Sequence, residues 1–317
     1  MAGTDAHGET PPIEALDAGD LPGALELSRA ASWNQNEADW RTMLALGRGW
    51  CIRAPDGASP ARLAASIVVL PYGDAFAWVS MVLVLPEYRG RGFASRLLRH
   101  ALAELARDGR GGVLDATPAG HPVYVQEGFI DSWGFRRYRR PAPADRSAPL
   151  PSAGVAAASA ANDGGSAAPS TAGASAIRPL NEDDWPAIAA LDGRTFGADR
   201  GPLLRRLAER VPRAAHVAER DGRLVGFVLA RDGREATQVG PLVADDAASA
   251  CALLDAALAA IDGPVYVDAA DAQAELLAAL AGRGFALQRP FTRMLYALDR
   301  APGDASKVFL VAGPELG

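Results

Sequence analysis

The chain is 317 residues long, beyond the size at which a single hydrophobic core usually suffices, so two domains are expected. Apolar residues make up 49% and charged residues 22%, the balance of an ordinary soluble globular protein, which excludes a disordered chain. A net charge of -6 with no long Lys/Arg block excludes the basic footprint of a dedicated nucleic-acid binder and points to small-molecule or peptide partners.

Residues 1–20 contain acids and prolines, but neither the basic nor the apolar stretch of a signal peptide. The longest apolar runs, such as residues 77–85, fall well short of the ~20 residues that cross a bilayer as a helix. A cytoplasmic location without membrane contact is expected. Leu21–Ala30 and Glu37–Leu46 read as helices, the second opened by Asn34 or Asn36 as its cap. Residues 64–70 and 77–85, separated by the turn residues Pro71-Tyr72-Gly73-Asp74, predict an antiparallel strand pair. A helix follows from Phe93, where Phe93, Leu97, Leu98, Ala101, Leu102 and Leu105 recur as one apolar stripe, and Asp108-Gly109 ends it. A short strand at 113–116, a short helix at 122–127 and a strand at 133–138 close the first half.

Residues 141–175 collapse into Ala, Pro, Ser and Gly and read as a flexible linker. The domains are therefore placed at 13–140 and 176–317. The second half repeats the same order: a hairpin turning at Asp221-Gly222, a strand at 237–243, an Ala/Leu helix to Ile261, a strand at 265–268, a helix at 272–281 and Gly284-Phe285. The interval from Gly128 to Gly284 agrees within two residues with that from Val84 to Leu242, so a tandem duplication of one α/β unit is expected.

The strongest local signal joins strand to helix at Arg89-Gly90-Arg91-Gly92-Phe93-Ala94-Ser95. Two glycines remove Cβ atoms where backbone must approach a ligand, and a helix N-terminus presents free N–H groups and a positive dipole end. An anion fits there, with Arg89 and Arg91 as added charge; a plain turn with solvated arginines fits the residues as well. The P-loop pattern is absent, and the dinucleotide fingerprint fails because Pro86-Glu87-Tyr88-Arg89 separates strand from glycines. A second landmark is Tyr124, four residues before Gly128-Phe129.

In this order the two motifs resemble the acetyl-CoA signature of the GCN5-related N-acetyltransferases, and the second half resembles the C-terminal domain of bacterial tandem acetyltransferases of the YitH group. The resemblance implies an α/β (α+β) fold of tandem domains, each a mixed, mostly antiparallel sheet flanked by helices. It implies acetyl-CoA as cosubstrate, with no metal, and transfer of acetyl to an amine acceptor by direct attack in a ternary complex. Val82, Leu83 and Val84 would line a splayed strand that holds the pantetheine arm, and Gly90, Arg91, Gly92, Phe93, Ala94 and Ser95, with Arg89, would hold the pyrophosphate. Tyr124 would protonate the departing thiolate. A general base is harder to place: the position where many relatives carry a carboxylate is Gly112, and Asp115 is the nearby alternative, as base or amine binder or as a turn residue. Trp33, Asn34 and Gln35 lie in the segment that walls the acceptor pocket, and equally suit a core Trp with a helix cap. At the equivalent junction the second half reads Leu242-Val243-Ala244-Asp245-Asp246, without the glycine pair or arginine, so one donor site per chain is expected, in the first half. The second half then covers the acceptor pocket or acts as an internal dimer-like partner, with residues 308–311 adding a strand to a sheet, or stands as an inert tethered domain. A catalytically silent CoA-binding sensor is the alternative to an enzyme.

Overall fold

A computed structural model describes residues 11–55, 62–142 and 175–317. The proposed linker lies almost wholly outside the described residues. In the first half the order is β1 (Glu14–Leu16), α1 (Leu21–Ala30), α2 (Glu37–Leu46), β2 (Arg48–Arg53), β3 (Leu63–Tyr72), β4 (Phe76–Val84), α3 (Phe93–Arg107), β5 (Gly111–Ala116), α4 (His121–Gln126) and β6 (Ile130–Arg140). The second half follows with β7 (Ala176–Pro179), α5 (Trp185–Phe196), α6 (Gly201–Arg210), β8 (His216–Arg220), β9 (Arg223–Arg231), β10 (Thr237–Ala244), α7 (Ala247–Ala259), β11 (Val265–Ala270), α8 (Ala274–Gly282), β12 (Ala286–Tyr296) and β13 (Val308–Leu310).

Local chemistry accounts for these elements. Asn36, rather than Asn34, caps α2: its side chain accepts from the Asp39 N–H, and the Asp39 carboxylate returns the bond to the Asn36 N–H at 3.0 Å, a reciprocal capping box. The apolar stripe of α3 is buried as its spacing predicts, with Leu97, Leu98 and Ala101 fully inaccessible; each large side chain withdrawn from water contributes roughly 1.5–3 kcal/mol. β2, which the sequence reading passes over, pairs with β3 from Arg48↔Val69 to Arg53↔Leu63.

The two halves do not form separate sheets. Among the described residues the strands run in one thirteen-stranded sheet, β1-β2-β3-β4-β5-β12-β6-β11-β13-β10-β9-β8-β7. Each half lends its last long strand to the other. β12 lies antiparallel to β5, from Thr292↔Ala116 to Tyr296↔Gly112. β6 lies antiparallel to β11, from Val265↔Arg140 to Ala270↔Phe135. Between them β6 and β12 pair with each other, bringing Phe135 opposite Phe291, whose rings stack at 5.0 Å. The halves are thus related as the protomers of a strand-exchanged dimer, fused in one chain.

Charged groups lock the halves a second time. Arg231 of β9, fully buried, pairs with Asp39 of α2 at 2.8 Å and with Glu315. Arg210 at the end of α6 reaches the same Asp39 at 3.0 Å and also bonds Asn36 and Asp232. Buried charges of this kind persist because each finds its partner; removing one leaves the other stranded.

Candidate active site

β4 begins as an ordinary inner strand and ends as an open one. Its parallel pairing with β5 covers only Phe76↔Gly111 to Trp78↔Val113. Beyond that, the register against β3 slips between Ser66 and Val68, and Met81 takes a left-handed φ of 51°, unusual for a side chain of its size and a sign of a bulge held by its surroundings. Ser66 Oγ–H fixes that bulge by donating to the Met81 carbonyl at 2.9 Å. The Leu85 N–H bonds across to the Ala64 carbonyl at 2.9 Å. Because successive residues of a strand alternate direction, the Val84 N–H faces the opposite edge, where β5 has diverged. Val82 and Val84 are half-buried along this edge, whereas Leu83 turns its side chain into the core and, by the same alternation, its backbone groups toward β3, so the structure takes Leu83 off the gap.

The gap leads to the glycine loop. Gly90 and Gly92 both sit at left-handed φ, 76° and 75°, and a Cβ built on either meets nothing within 4 Å. The space beside this backbone is therefore open. Gly92 caps α3 without any side-chain hydrogen bond, and the Arg96 N–H to Gly92 carbonyl bond, at 3.0 Å, opens the helix. The N–H groups of Phe93, Ala94 and Ser95 precede that bond and point out of the helix end, the arrangement that receives phosphate. Arg89 and Arg91 are exposed and only loosely held, by the carbonyls of Val84 at 3.3 Å and Glu87 at 3.4 Å.

Beside the free edge of β4 lies a narrow pocket, partly open to solvent. The β4 bulge at Ser80, Met81 and Val82 forms one wall, and Tyr124 of α4 stands at it with Asp115 and Thr117. Tyr124 is half-buried, and burial pushes its phenol up to about 12, so the group stays protonated at neutral pH. Trp33 and Gln35 close a second side; Arg289, Phe291, Pro314 and Glu315, all from the second half, close a third. These contributions arrive through the exchanged strand β12 and the segment after β13, which no local sequence pattern announces. Glu315, an isolated charge in an apolar run, was the available signal.

Two of the expected site residues have other partners. Asn34 is 1% exposed. Its Oδ1 accepts from the N–H groups of Glu235 and Ala236 at 2.9 and 3.1 Å, and its Nδ2 donates to the Ala236 carbonyl at 3.0 Å. The amide stitches the halves together instead of facing an acceptor. Asp115 lines the pocket, but its fully buried carboxylate is held bidentately by Arg293, at 2.9 and 3.0 Å, and Arg293 is itself clasped between Trp78 and Trp133 at 4.4 and 4.1 Å. Burial raises the Asp115 carboxyl against the pull of Arg293. A carboxylate with both oxygens committed is a poor base, and the pair serves to join β5 to β12.

The equivalent gap in the second half is closed. β10 pairs in parallel with β11 only from Thr237↔Val265 to Val239↔Val267; where the two diverge, β13 enters between them, Leu310 lying opposite both Leu242 and Ala269. The helix after β10 has no open end either. Asp246 caps α7, accepting from the Ser249 N–H at 2.8 Å, and Arg220 bonds the same carboxylate at 2.6 Å. At the place corresponding to Tyr124, four residues before Gly-Phe, stands the buried Leu280.

Comparison with known proteins agrees with this duplicated arrangement. Residues 54–131 and residues 188–310 each match a model of the acetyltransferase (GNAT) domain, together more than half of the chain. An uncharacterized N-acetyltransferase, YitH of Bacillus subtilis, is 23% identical over 211 residues, which span 65% of each protein. Among solved structures, a putative acetyltransferase from Pyrococcus horikoshii superposes with a TM-score of 0.73 at 16% identity, over 100% of this chain and 99% of that one. A tandem GNAT protein from the clavulanic acid biosynthesis pathway superposes with a TM-score of 0.59 at 19% identity, over 90% and 98%. Among the described residues no helix is long and apolar enough to cross a membrane. The chain belongs to the GCN5-related N-acetyltransferases, in their tandem form, a family that transfers an acyl group from acyl-CoA to an amine.

Proposed function

We propose that this chain is an acetyl-CoA-dependent N-acetyltransferase with one donor site, in the first half, and an acceptor pocket built by both halves. Three observations carry the reading: the open space beside Gly90 and Gly92, the edge of β4 that has no β5 partner beyond Trp78, and the pocket in which Tyr124 meets Val82 of that edge. The N–H groups at the start of α3 suit the pyrophosphate, and the unpaired edge at Val82 and Val84 suits the amides of the pantetheine arm. The Val84 N–H, facing the gap, is placed to stabilise the oxyanion that forms when a neutral amine attacks the thioester. A new C–N bond forms, the C–S bond breaks, and the thiolate takes the phenolic proton of Tyr124. The proton shed by the nitrogen restores the phenol through solvent. Burial keeps the phenol protonated and available but makes it a weaker acid; it gives its proton because the same desolvation disfavours the thiolate forming beside it. Release of free thiol from acetyl-CoA, followed with a panel of amines, tests the reading: acceptor-dependent release supports it, whereas binding of CoA with no acceptor-dependent release across the panel favours a sensor.

A further inference from the structure

The charges around the acceptor pocket are matched with one exception. Asp115 holds Arg293, Asp268 holds Arg137, and Asp39 with Glu315 holds Arg231. Arg289 of β12 lines the same pocket, yet its Nε is buried without a hydrogen-bond partner and it makes no ion pair among the described residues. Its guanidinium lies over the Phe291 ring at 5.1 Å. Burial and the neighbouring Arg137 both act against its charge. A desolvated cation left in this state favours any anion that can reach it.

The opposite need is met in the same pocket. Gln35 Oε1, Ser80 Oγ and one oxygen of Glu315, Oε2, are buried without partners, on residues only 3%, 6% and 2% exposed. Two of these atoms only accept hydrogen bonds and the third accepts or donates. Buried polar atoms without partners are rare unless a ligand or water completes them. Together the pocket offers acceptors for the N–H groups of an amine and, among the described residues, one unpaired cation for an anion.

We propose that the acceptor is a free amino acid, or a similarly small amine bearing a carboxylate: Arg289 takes the carboxylate, and Glu315 with Gln35 holds the amine beside the Met81 bulge. The inference rests on the reading that this pocket is the acceptor side of a donor site in the first half. It gives the second half a defined task, since Arg289 and Glu315 both come from it. Arg289 acts on binding and not on the chemical step.

Calorimetric binding to the intact chain, with and without saturating CoA, tests this using the proteinogenic amino acids, their carboxamides and the corresponding decarboxylated amines. At least one free acid binds at least about tenfold more tightly than its carboxamide, the gain typical of a charge-assisted contact. Arg289→Gln erases that preference while leaving CoA affinity unchanged, and Arg289→Lys, which keeps the charge but not the fork, retains part of it. The proposal is overturned if no free acid binds better than its carboxamide, or if Arg289→Gln keeps the preference. Failure of CoA itself to bind refutes the donor site instead, because the acid-amide comparison without CoA does not depend on it.

Discussion

The gap beside β4 and the gap beside β10 are the same architectural feature put to opposite uses. Both arise because two parallel strands pair for three residues and then diverge. In the first half the divergence stays open, the following helix starts on an uncapped glycine, and a tyrosine stands in the pocket beside it. In the second half a strand of the same chain fills the wedge, a carboxylate caps the helix, and leucine replaces the tyrosine. On the proposed reading, with one donor site in the first half, the difference teaches that a duplicated binding unit is silenced by satisfying its own backbone. Once β13 and Asp246 have taken the free N–H and carbonyl groups, little remains to bind a donor. The filled half is not idle, because the segment that leaves its wedge carries Pro314 and Glu315 into the pocket of the open half.

This comparison presumes that the halves act as one body, and the largest predicted effect tests that. Asp39→Ala takes one of two carboxylates from both Arg231 and Arg210, which keep Glu315 and Asp232, and is expected to destabilise the chain by about 3 kcal/mol, the worth of two charge-assisted hydrogen bonds. Denaturant unfolding of the intact chain measures it; a loss below about 1 kcal/mol would mean that this buried cluster does not hold the halves together.

The open helix end is tested next. Gly92→Val adds a Cβ that touches no protein atom but forces a branched side chain into left-handed backbone and into the space reserved for phosphate. Acetyl-CoA affinity should fall by on the order of 100-fold. Wild-type affinity in the folded variant would remove the loop from the donor site. Comparable in size, Tyr124→Phe should lower kcat on the order of 100-fold with donor affinity nearly unchanged. An unaltered rate constant for the chemical step would show that solvent protonates the thiolate.

The closed helix end gives the smallest effect. Asp246→Ala should cost about 1 kcal/mol, the usual worth of a helix cap. Burial raises the Asp246 carboxyl, but the Ser249 N–H and Arg220 outweigh it and hold it below the ordinary value. Its contribution is therefore fully present above about pH 4 and is lost as pH falls through the lower value of the folded state. A stability difference between wild type and variant that persists unchanged well below pH 4 would contradict this assignment of the cap.

Much of the fold was legible because short-range chemistry decides it. The capping box at Asn36 and the stripe of α3 are written in residues three and four apart, and the Gly90–Gly92 loop in adjacent ones. The first two helices, Leu21–Ala30 and Glu37–Leu46, stand where the sequence puts them. The strand exchange was not legible. Alternation in β6 and β12 sets which side chains face which layer, but a strand's neighbour is chosen by partners more than a hundred residues away, such as Arg293 with Asp115 or Arg137 with Asp268. The same distance hides the partners of Asn34 and Asp115 from the sequence. Each is a polar residue near the site whose partners lie in the other half, invisible to spacing. Trp33 and Gln35, by contrast, do line the pocket.

Titration calorimetry of acetyl-CoA into the intact chain tests the contrast between the halves most directly. The strand exchange makes the isolated halves unsuitable for this measurement, since each would lack a central strand. The account predicts one site per chain, abolished by Gly92→Val. Two sites per chain, or one site indifferent to Gly92→Val, would contradict it.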